Sequence, residues 1–146
     1  MKQHDRDLRA RLRACGLRVT TPRLVVIGWL AGHPHSTAAE ISQQLADDGF
    51  DLSRQGIYDV LAVCTKAGLL RKIEPADSPA RYETRTGDNH HHLVCRICGR
   101  TEDVDCAVGV APCLTPSSIA GYTVDEAEVV YWGLCLACTD SARKRE

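Results

Sequence analysis

The 146-residue sequence lacks any long apolar segment. No run approaches the roughly 18 apolar residues of a transmembrane helix, and the opening MKQHDRDLRARLRACG is charged where a secretory signal would be apolar. We therefore expect a cytoplasmic protein with no membrane contact. In that compartment, eight cysteines are more typical of zinc ligands or redox-active thiols than of structural disulfides.

Two enzyme signatures are also missing. Zinc deaminases need a His-x-Glu and a Pro-Cys-x-x-Cys, but no histidine has Glu two places later, and Leu134 precedes Cys135. A thiol oxidoreductase needs a reactive cysteine pair at a helix start within a βαβ unit, which the helical first half does not offer. The sequence therefore favours a binding protein over an enzyme.

The charge is small in total but unevenly distributed. Net charge is −1, yet residues 1–85 carry 13 Lys/Arg against 10 Asp/Glu, whereas residues 86–146 carry 5 against 9. The first 23 residues hold seven basic and two acidic side chains. A basic N-terminal half indicates an anionic partner such as DNA.

The first half contains four segments with helix start and stop signals. They are DRDLRARLRACG ending at Gly16, TTPRLVVIGWLAG with Thr21 as cap and Pro22 at the first helical position, STAAEISQQLADDG ending at Gly49, and SRQGIYDVLAVCTKAGLL from Ser53 to Gly68. LLRKIE and ARYETR then flank the turn PADSP, which predicts a hairpin or wing. Together these elements indicate a winged helix-turn-helix, the alternative being a small helical bundle that binds nothing.

The second half has a different composition, with strand-like runs in HHHLVC, TEDVDC and YTVDEAEVVYWG and a polar tail. TRTGDN has the composition of a linker. We therefore predict an α+β protein with a winged-helix domain at residues 1–84, a hinge at 85–89 and a second domain at 90–146.

Cys95-x-x-Cys98 and Cys135-x-x-Cys138 supply four thiolates, the ligand set of a closed structural zinc site. The pairs are 36 residues apart, so zinc would hold together the ends of a small domain. The alternative is two separate thiol couples. Because zinc binding is also folding energy, loss of one ligand should unfold this half.

Three consecutive histidines precede the first cysteine pair. On a strand His90 and His92 share one face, while His91 points to the other. Carboxylates such as Glu83 and Asp103 could complete a mixed nitrogen and oxygen shell suited to iron, manganese or zinc. The alternative is a solvated turn.

Several motifs resemble the ferric uptake regulator (Fur) superfamily of bacterial metal-dependent repressors: GLRVTTPR, HSTAAEI, SRQGIYDVL, GLLRKI, RYETRTGDNHHHLVCRICG and YWGLCLAC. The resemblance covers nearly the whole chain, and DNHHHLVCRICG with DVDCAVGVAPC is especially similar to FurA-type members that regulate catalase-peroxidase genes. It implies a C-terminal α/β dimerisation domain, an obligate homodimer and a regulatory metal at the hinge.

That resemblance also implies the regulatory ligands of an Fe(II) or Mn(II) ion, which fall on His35, Glu83, His90, His92 and Asp103. We expect His35 at the start of the third helix, and its neighbour His33 is not a ligand. Ligands from both domains would close around the ion, so metal binding would select the dimer that fits operator DNA.

The peroxide-sensing branch tends to have Asp at the position of Asp103, where the iron-sensing branch has Glu. With ferrous iron bound, peroxide would oxidise His35 or His90 and release DNA. Alternatives are an iron- or zinc-availability repressor and a thiol switch at Cys106 and Cys113, although such cysteines are more often small buried hydrophobes. A third site of some members is not predicted, because its ligand positions hold Asn89, Val110 and Ala127.

The fourth helix is the candidate DNA reader, since recognition helices present their N-terminal residues to base edges. Basic and polar side chains on this helix and before the second one supply the candidate DNA contacts: Arg18, Arg23, Ser53, Arg54, Gln55 and Tyr58. Arg18 and Arg23 would be phosphate contacts, the alternative being surface charges. Many family members have Arg after the tyrosine; Asp59 here weakens the attraction.

Overall fold

The computed structural model describes residues 2–145, which divide into two compact units, residues 2–86 and residues 87–145. The first unit is helical with a small sheet, and the second is built on a sheet. The predicted α+β fold class is therefore confirmed. Over residues 2–145, no helix has the length and apolar character needed to cross a membrane.

The first unit is a winged helix-turn-helix. Its elements are α1 (Gln3–Ala14), α2 (Thr21–Gly32), β1 (Ser36–Thr37), α3 (Ala38–Asp47), α4 (Arg54–Lys66), β2 (Arg71–Ile73) and β3 (Arg81–Glu83). β3 lies between β1 and β2 and is antiparallel to both. The predicted wing is thus the β2–β3 hairpin, and β1, a strand too short to show a period in the sequence, was missed.

Side-chain caps set where two of these helices begin. Ser53 Oγ accepts a hydrogen bond from the Gly56 amide at 2.9 Å at the start of α4. At α2 the cap is Thr20, whose Oγ1 accepts from the Arg23 amide at 3.5 Å. The prediction of Thr21 as cap was therefore wrong by one residue, because two adjacent threonines carry the same capping signal.

One apolar core holds the four helices together. Its fully buried members recur at helical spacing on all four helices and include Leu12, Val26, Leu30, Ile41, Leu45, Ile57 and Leu61. Burying a side chain of this size stabilises the fold by about 1.5–3 kcal/mol. The core fixes α4 by its Ile57 face and leaves Tyr58 on the opposite, exposed face.

The second unit contains β4 (His90–Cys95), β5 (Thr101–Asp105), β6 (Val130–Gly133) and α5 (Leu136–Arg143). β4 is central, antiparallel to β5 and parallel to β6. Only the end of the YTVDEAEVVYWG run forms a strand, because the acidic residues before it disfavour one. The polar tail contains α5, which was not predicted; this helix has no fully buried side chain and no side-chain cap.

Candidate metal centres and nucleic-acid interface

The two Cys-x-x-Cys motifs meet at one end of the second sheet. Parallel pairing of β4 with β6 sets Cys95 beside Gly133, two residues before Cys135. All four sulfur atoms, those of Cys95, Cys98, Cys135 and Cys138, lie within 4.8 Å of one another, and the Sγ atoms of Cys98 and Cys135 are 3.7 Å apart. Tetrahedral zinc with Zn–S bonds of about 2.3 Å sets its thiolates roughly 3.8 Å apart. The donor set fits structural zinc.

The protonation of these thiols also indicates a cation. Backbone amides of Cys135 and Cys98 donate to the Cys95 sulfur and lower the pKa of its thiol to about 6. Hydrogen bonding with the Cys135 thiol, followed by burial, raises the pKa of Cys138 to about 12. One thiolate therefore forms readily, and the crowded set resists full ionisation until a positive ion compensates the charge.

In the first unit His35 and Glu83 form a buried pair. His35 Nε2 lies 2.9 Å from Glu83 Oε2, and the Glu83 side chain is fully buried. The β1–β3 register, Ser36 opposite Tyr82, extends to place these two side chains across from each other. The pair supplies one nitrogen and one oxygen donor for a divalent metal.

His35 lies just before β1, three residues ahead of α3, which corrects its expected place at the helix start. Its φ is +65°, uncommon for a residue other than glycine. The His35 amide donates to Tyr82 O at 2.9 Å, and Arg81 Nη1 donates to His35 O at 3.0 Å. These bonds hold the strained conformation that directs the imidazole toward Glu83, and such strain is concentrated at functional sites.

In the second unit two histidines converge on one carboxylate. His90 Nε2 and His92 Nε2 lie 3.6 and 3.3 Å from Asp103 Oδ1, and both imidazoles are fully buried. The antiparallel register sets His92 directly opposite Asp103. The rings of His90 and His92 meet edge to face at 4.9 Å between centroids. Nε2 of His90, Nε2 of His92 and Oδ1 of Asp103 are therefore close enough together to bind one metal ion.

Sequence reasoning missed Asp88, which orients His90. Asp88 Oδ1 lies 2.8 Å from His90 Nδ1. A carboxylate that accepts from one ring nitrogen fixes the tautomer and leaves the other nitrogen, here Nε2, as a metal ligand. Asp88 lies in the TRTGDN segment, whose turn composition masked the Asp-x-His spacing.

Replacing Asp88 by Ala is expected to weaken Mn²⁺ binding by roughly 10- to 100-fold, because the His90 ring loses the partner that orients it. Asp88→Asn should lose less, since its carbonyl oxygen can still accept from Nδ1. Asp125→Asn, at an exposed carboxylate of the same unit, is the control. Mn²⁺ titration of the zinc-replete proteins measures the effect, and an unchanged affinity in Asp88→Ala would contradict it.

Cys106 and Cys113 lie in the irregular segment between β5 and β6, and both are half-buried. Backbone amides, first that of Gly109, hydrogen-bond to the Cys106 sulfur and hold the pKa of its thiol below the usual range. Cys113 Sγ lies 3.3 Å from His91 Nε2, a contact that no sequence spacing indicated.

On α4, the side chains of Arg54, Gln55 and Tyr58 are exposed, and Ser53 is the cap. Gln55 Nε2 donates to Asp59 Oδ1 at 2.8 Å, so the aspartate holds the amide along the helix surface. Tyr58 also lines a groove with Lys72 and Tyr82 of the wing.

Of the two arginines before and in α2, Arg18 is exposed and Arg23 is half-buried. Arg23 Nη1 donates to Arg18 O at 2.6 Å, which ties the start of α2 to the loop before it. Arg23 therefore positions the backbone of Arg18, leaving the Arg18 guanidinium exposed.

A winged helix-turn-helix joined to a sheet unit with a four-cysteine cluster defines a DNA-binding transcription regulator with metal sites. Residues 14–108 match the Ferric uptake regulator family, and the chain belongs to it. It is a transcription regulator and not an enzyme.

Relatives share most of the chain. Transcriptional regulator FurA of Mycobacterium tuberculosis (strain ATCC 25618 / H37Rv) is 53% identical over 139 residues, covering 95% of each chain. Peroxide-responsive repressor PerR of Staphylococcus aureus (strain NCTC 8325 / PS 47) is 30% identical over 132 residues, covering 90% of this chain and 88% of the relative. The chain is thus a FurA-like, metal-dependent regulator of a family whose members bind DNA operators as dimers.

Solved structures agree on the fold. The ferric uptake regulator of Vibrio cholerae aligns with a TM-score of 0.67 at 23% identity, covering 87% of this chain and 98% of that one. That of Francisella tularensis, solved with iron, also gives 0.67, at 18% identity over 85% and 96%. The predicted architecture is therefore that of the Fur fold.

Proposed function

We propose that this chain is a homodimeric repressor with a regulatory Fe(II) or Mn(II) ion, and that it senses peroxide when the ion is Fe(II). It binds a double-stranded operator and controls oxidative-stress genes such as those for catalase-peroxidase. The observation that carries the proposal is the convergence of His90 and His92 Nε2 on Asp103 Oδ1. The S. aureus relative, a peroxide-responsive repressor, supports the same reading.

The regulatory ligands come in two incomplete sets, one in each unit. His35 and Glu83 offer two donors, and His90, His92 and Asp103 offer three. Iron and manganese accept five or six nitrogen and oxygen ligands, so neither set alone saturates the ion. We propose that both sets bind one ion, which then favours the arrangement of the domains that fits DNA.

Asp103 supports the peroxide-sensing branch, because that branch of the family tends to have Asp at this position. His35 and His90 would be among the ligands that hold ferrous iron, and the bound ion would supply redox chemistry with peroxide in which one peroxide oxygen adds to an imidazole ring and the other leaves as water. His90 is held in place by Asp88 at 2.8 Å and His35 by backbone bonds on both sides, so oxidation would modify fixed rings. An oxidised imidazole is a poorer ligand, and loss of the ion releases the operator.

Peptide mass spectrometry before and after a small excess of peroxide tests the proposal on ferrous-loaded, zinc-replete protein, with free thiols blocked only during the later digestion. The expected result is a one-oxygen gain on the peptides carrying His35 or His90. Manganese-loaded protein is the matched control and should remain unmodified. Asp103→Glu should reduce the oxidation while retaining iron-dependent DNA binding.

Two other results would each select an alternative. Unmodified histidines together with loss of two hydrogens at Cys106 and Cys113 would identify a thiol switch, which their proximity supports. No change at either place, with DNA binding that follows only the metal concentration, would identify an iron- or zinc-availability repressor.

Arg54→Ala is expected to weaken operator binding by about 1–3 kcal/mol if the side chain reads a base, because a bidentate contact would be lost. If it contacts phosphate instead, the salt dependence falls by about one counterion. Tyr58→Ala should also weaken binding. Fluorescence anisotropy with metal-loaded protein at several salt concentrations measures both.

Lys144→Ala removes an exposed charge outside the winged helix and is the control. Normal, salt-dependent duplex binding by both Arg54→Ala and Tyr58→Ala would show that α4 is not the reader. If the protein were an adaptor that uses zinc only for stability, neither the parent protein nor the variants would bind duplex DNA.

A further inference from the structure

Three potential metal ligands lie together in the second unit, and none of them belongs to the four-cysteine cluster or to the proposed regulatory ligands. Cys106 Sγ, Cys113 Sγ and a ring nitrogen of His91 are all within 4.8 Å of one another. His91 Nε2 is 3.3 Å from Cys113 Sγ. The His91 side chain is 3% exposed, whereas the two cysteines are half-buried. A buried imidazole thus faces two thiols that remain accessible from solvent.

The chain builds this cluster from adjacent parts of the sheet. On β4, His91 points to the face opposite that of His90 and His92. Asp105 pairs with His90, so Cys106 leaves β5 beside the start of β4. Gly109, with φ of +83°, lets the following loop turn back and return Cys113 to His91.

A polar contact fixes that loop. Asn89 Nδ2 donates to Val110 O at 3.2 Å, which ties the middle of the loop to the residue before β4. The loop is thereby held at its start by β5, in its middle by Asn89 and at its end by the His91–Cys113 contact. This positions both thiols without a disulfide between them.

We propose that His91, Cys106 and Cys113 bind a third divalent cation of the thiophilic kind, with zinc as the natural occupant. Tetrahedral zinc with bonds of about 2.0–2.3 Å sets its ligands roughly 3.5–3.8 Å apart, close to the spacing found here. On binding, each thiol releases its proton to solvent, and the two thiolates balance the ion's charge. The fourth position faces solvent and is filled by water.

This site differs chemically from the other two. The structural set contains four cysteines, and the regulatory ligands contain none. It also differs from the third site of some family members, whose ligand positions hold Asn89, Val110 and Ala127 here. The proposal is independent of the peroxide-sensing function, since its ligands and the regulatory ligands are different residues.

Cobalt(II) titration tests the site in anaerobic buffer with a phosphine reductant, on protein that mild chelation has reduced to one zinc per chain, held by the four-cysteine cluster. Zinc keeps the four-cysteine site filled, and cobalt bound to the regulatory histidines and carboxylates has no sulfur ligand. A thiolate-to-cobalt charge-transfer band in the near ultraviolet therefore reports this cluster. The expected result is one band whose final intensity corresponds to one sulfur-bound cobalt per chain, reached at up to two cobalt ions per chain because the regulatory ligands also bind cobalt.

The band should disappear in the double variant Cys106→Ser/Cys113→Ser and in His91→Ala at subsaturating cobalt. Cys15→Ser removes an exposed thiol elsewhere and should leave it unchanged. Zinc content and circular dichroism of each variant verify that the four-cysteine site and the fold are intact. Absence of the band in the parent protein would overturn the proposal. Survival of the band in the double variant would also overturn it, because the cobalt would then have exchanged into the four-cysteine site.

Discussion

Serine at Cys98 or at Cys138 is expected to cost the protein its structural zinc and, with it, the fold of the second unit. Within residues 87–145, the buried apolar side chains are only Val94 and Cys95. A unit of this kind cannot be stabilised by its own core. Structural zinc contributes about 10–16 kcal/mol of apparent binding energy in small zinc modules, most of which is folding energy.

The position of the four-cysteine cluster makes the second unit depend still more on zinc for its fold. The cysteines lie at the ends of β4 and β6. For these two strands to pair, the ends of the long connection formed by residues 106–129 must be held close together. α5 has no fully buried side chain, and its half-buried Cys138 joins it to the four-cysteine cluster at the end of the sheet. Without the fourth sulfur, the helix and the end of β6 lose their common anchor.

Zinc per chain by atomic emission and limited proteolysis of residues 87–146 measure the outcome. Cys15→Ser, at an exposed thiol in the first unit, should retain full zinc and normal proteolysis. The first unit should keep its helical signal in every variant, because its core contains none of these cysteines. A Cys98→Ser protein with full zinc content and an intact second unit would show that the cluster is not a structural site.

Local signals in the sequence were enough to predict the four helices and the wing of the first unit. Its helix ends are set by caps and glycines a few residues away, such as Ser53, and its core by leucines at helical spacing. The four-cysteine cluster was predictable for a similar reason, since each pair spans a single turn. Elements without such signals, α5 and β1, were missed.

What sequence reasoning could not supply was the pairing of distant side chains. His35 approaches Glu83 because β1 pairs with β3 and because the His35 backbone adopts a positive φ. The contact of His91 with Cys113 depends on the path of a loop that has no regular structure. Asp88 is local to His90, but a turn and a ligand support have the same composition.

Replacing His92 by Ala is expected to abolish the effect of metal on operator binding. His92 lies directly opposite Asp103, with Nε2 at 3.3 Å from its carboxylate, so its loss removes a central donor of the second unit's set. Moving a two-state protein from 1% to 99% in its binding state needs about 10⁴-fold tighter binding of the ion to that state. A site lacking one of its proposed five ligands should not provide that difference.

Anisotropy of a labelled operator, titrated with Mn²⁺, checks this prediction. The His92→Ala protein should bind with the weak affinity of the metal-free parent at every Mn²⁺ concentration, while its zinc content stays normal. His33→Ala is the matched control: its imidazole is exposed, stacks on Trp29 at 4.1 Å between ring centroids and is not a proposed ligand. That variant should respond to Mn²⁺ as the parent does. A His92→Ala protein with the parent's response would remove β4 from the regulatory site, whereas loss of the response in both variants would trace the defect to the fold, because His33 and His92 share no proposed ion.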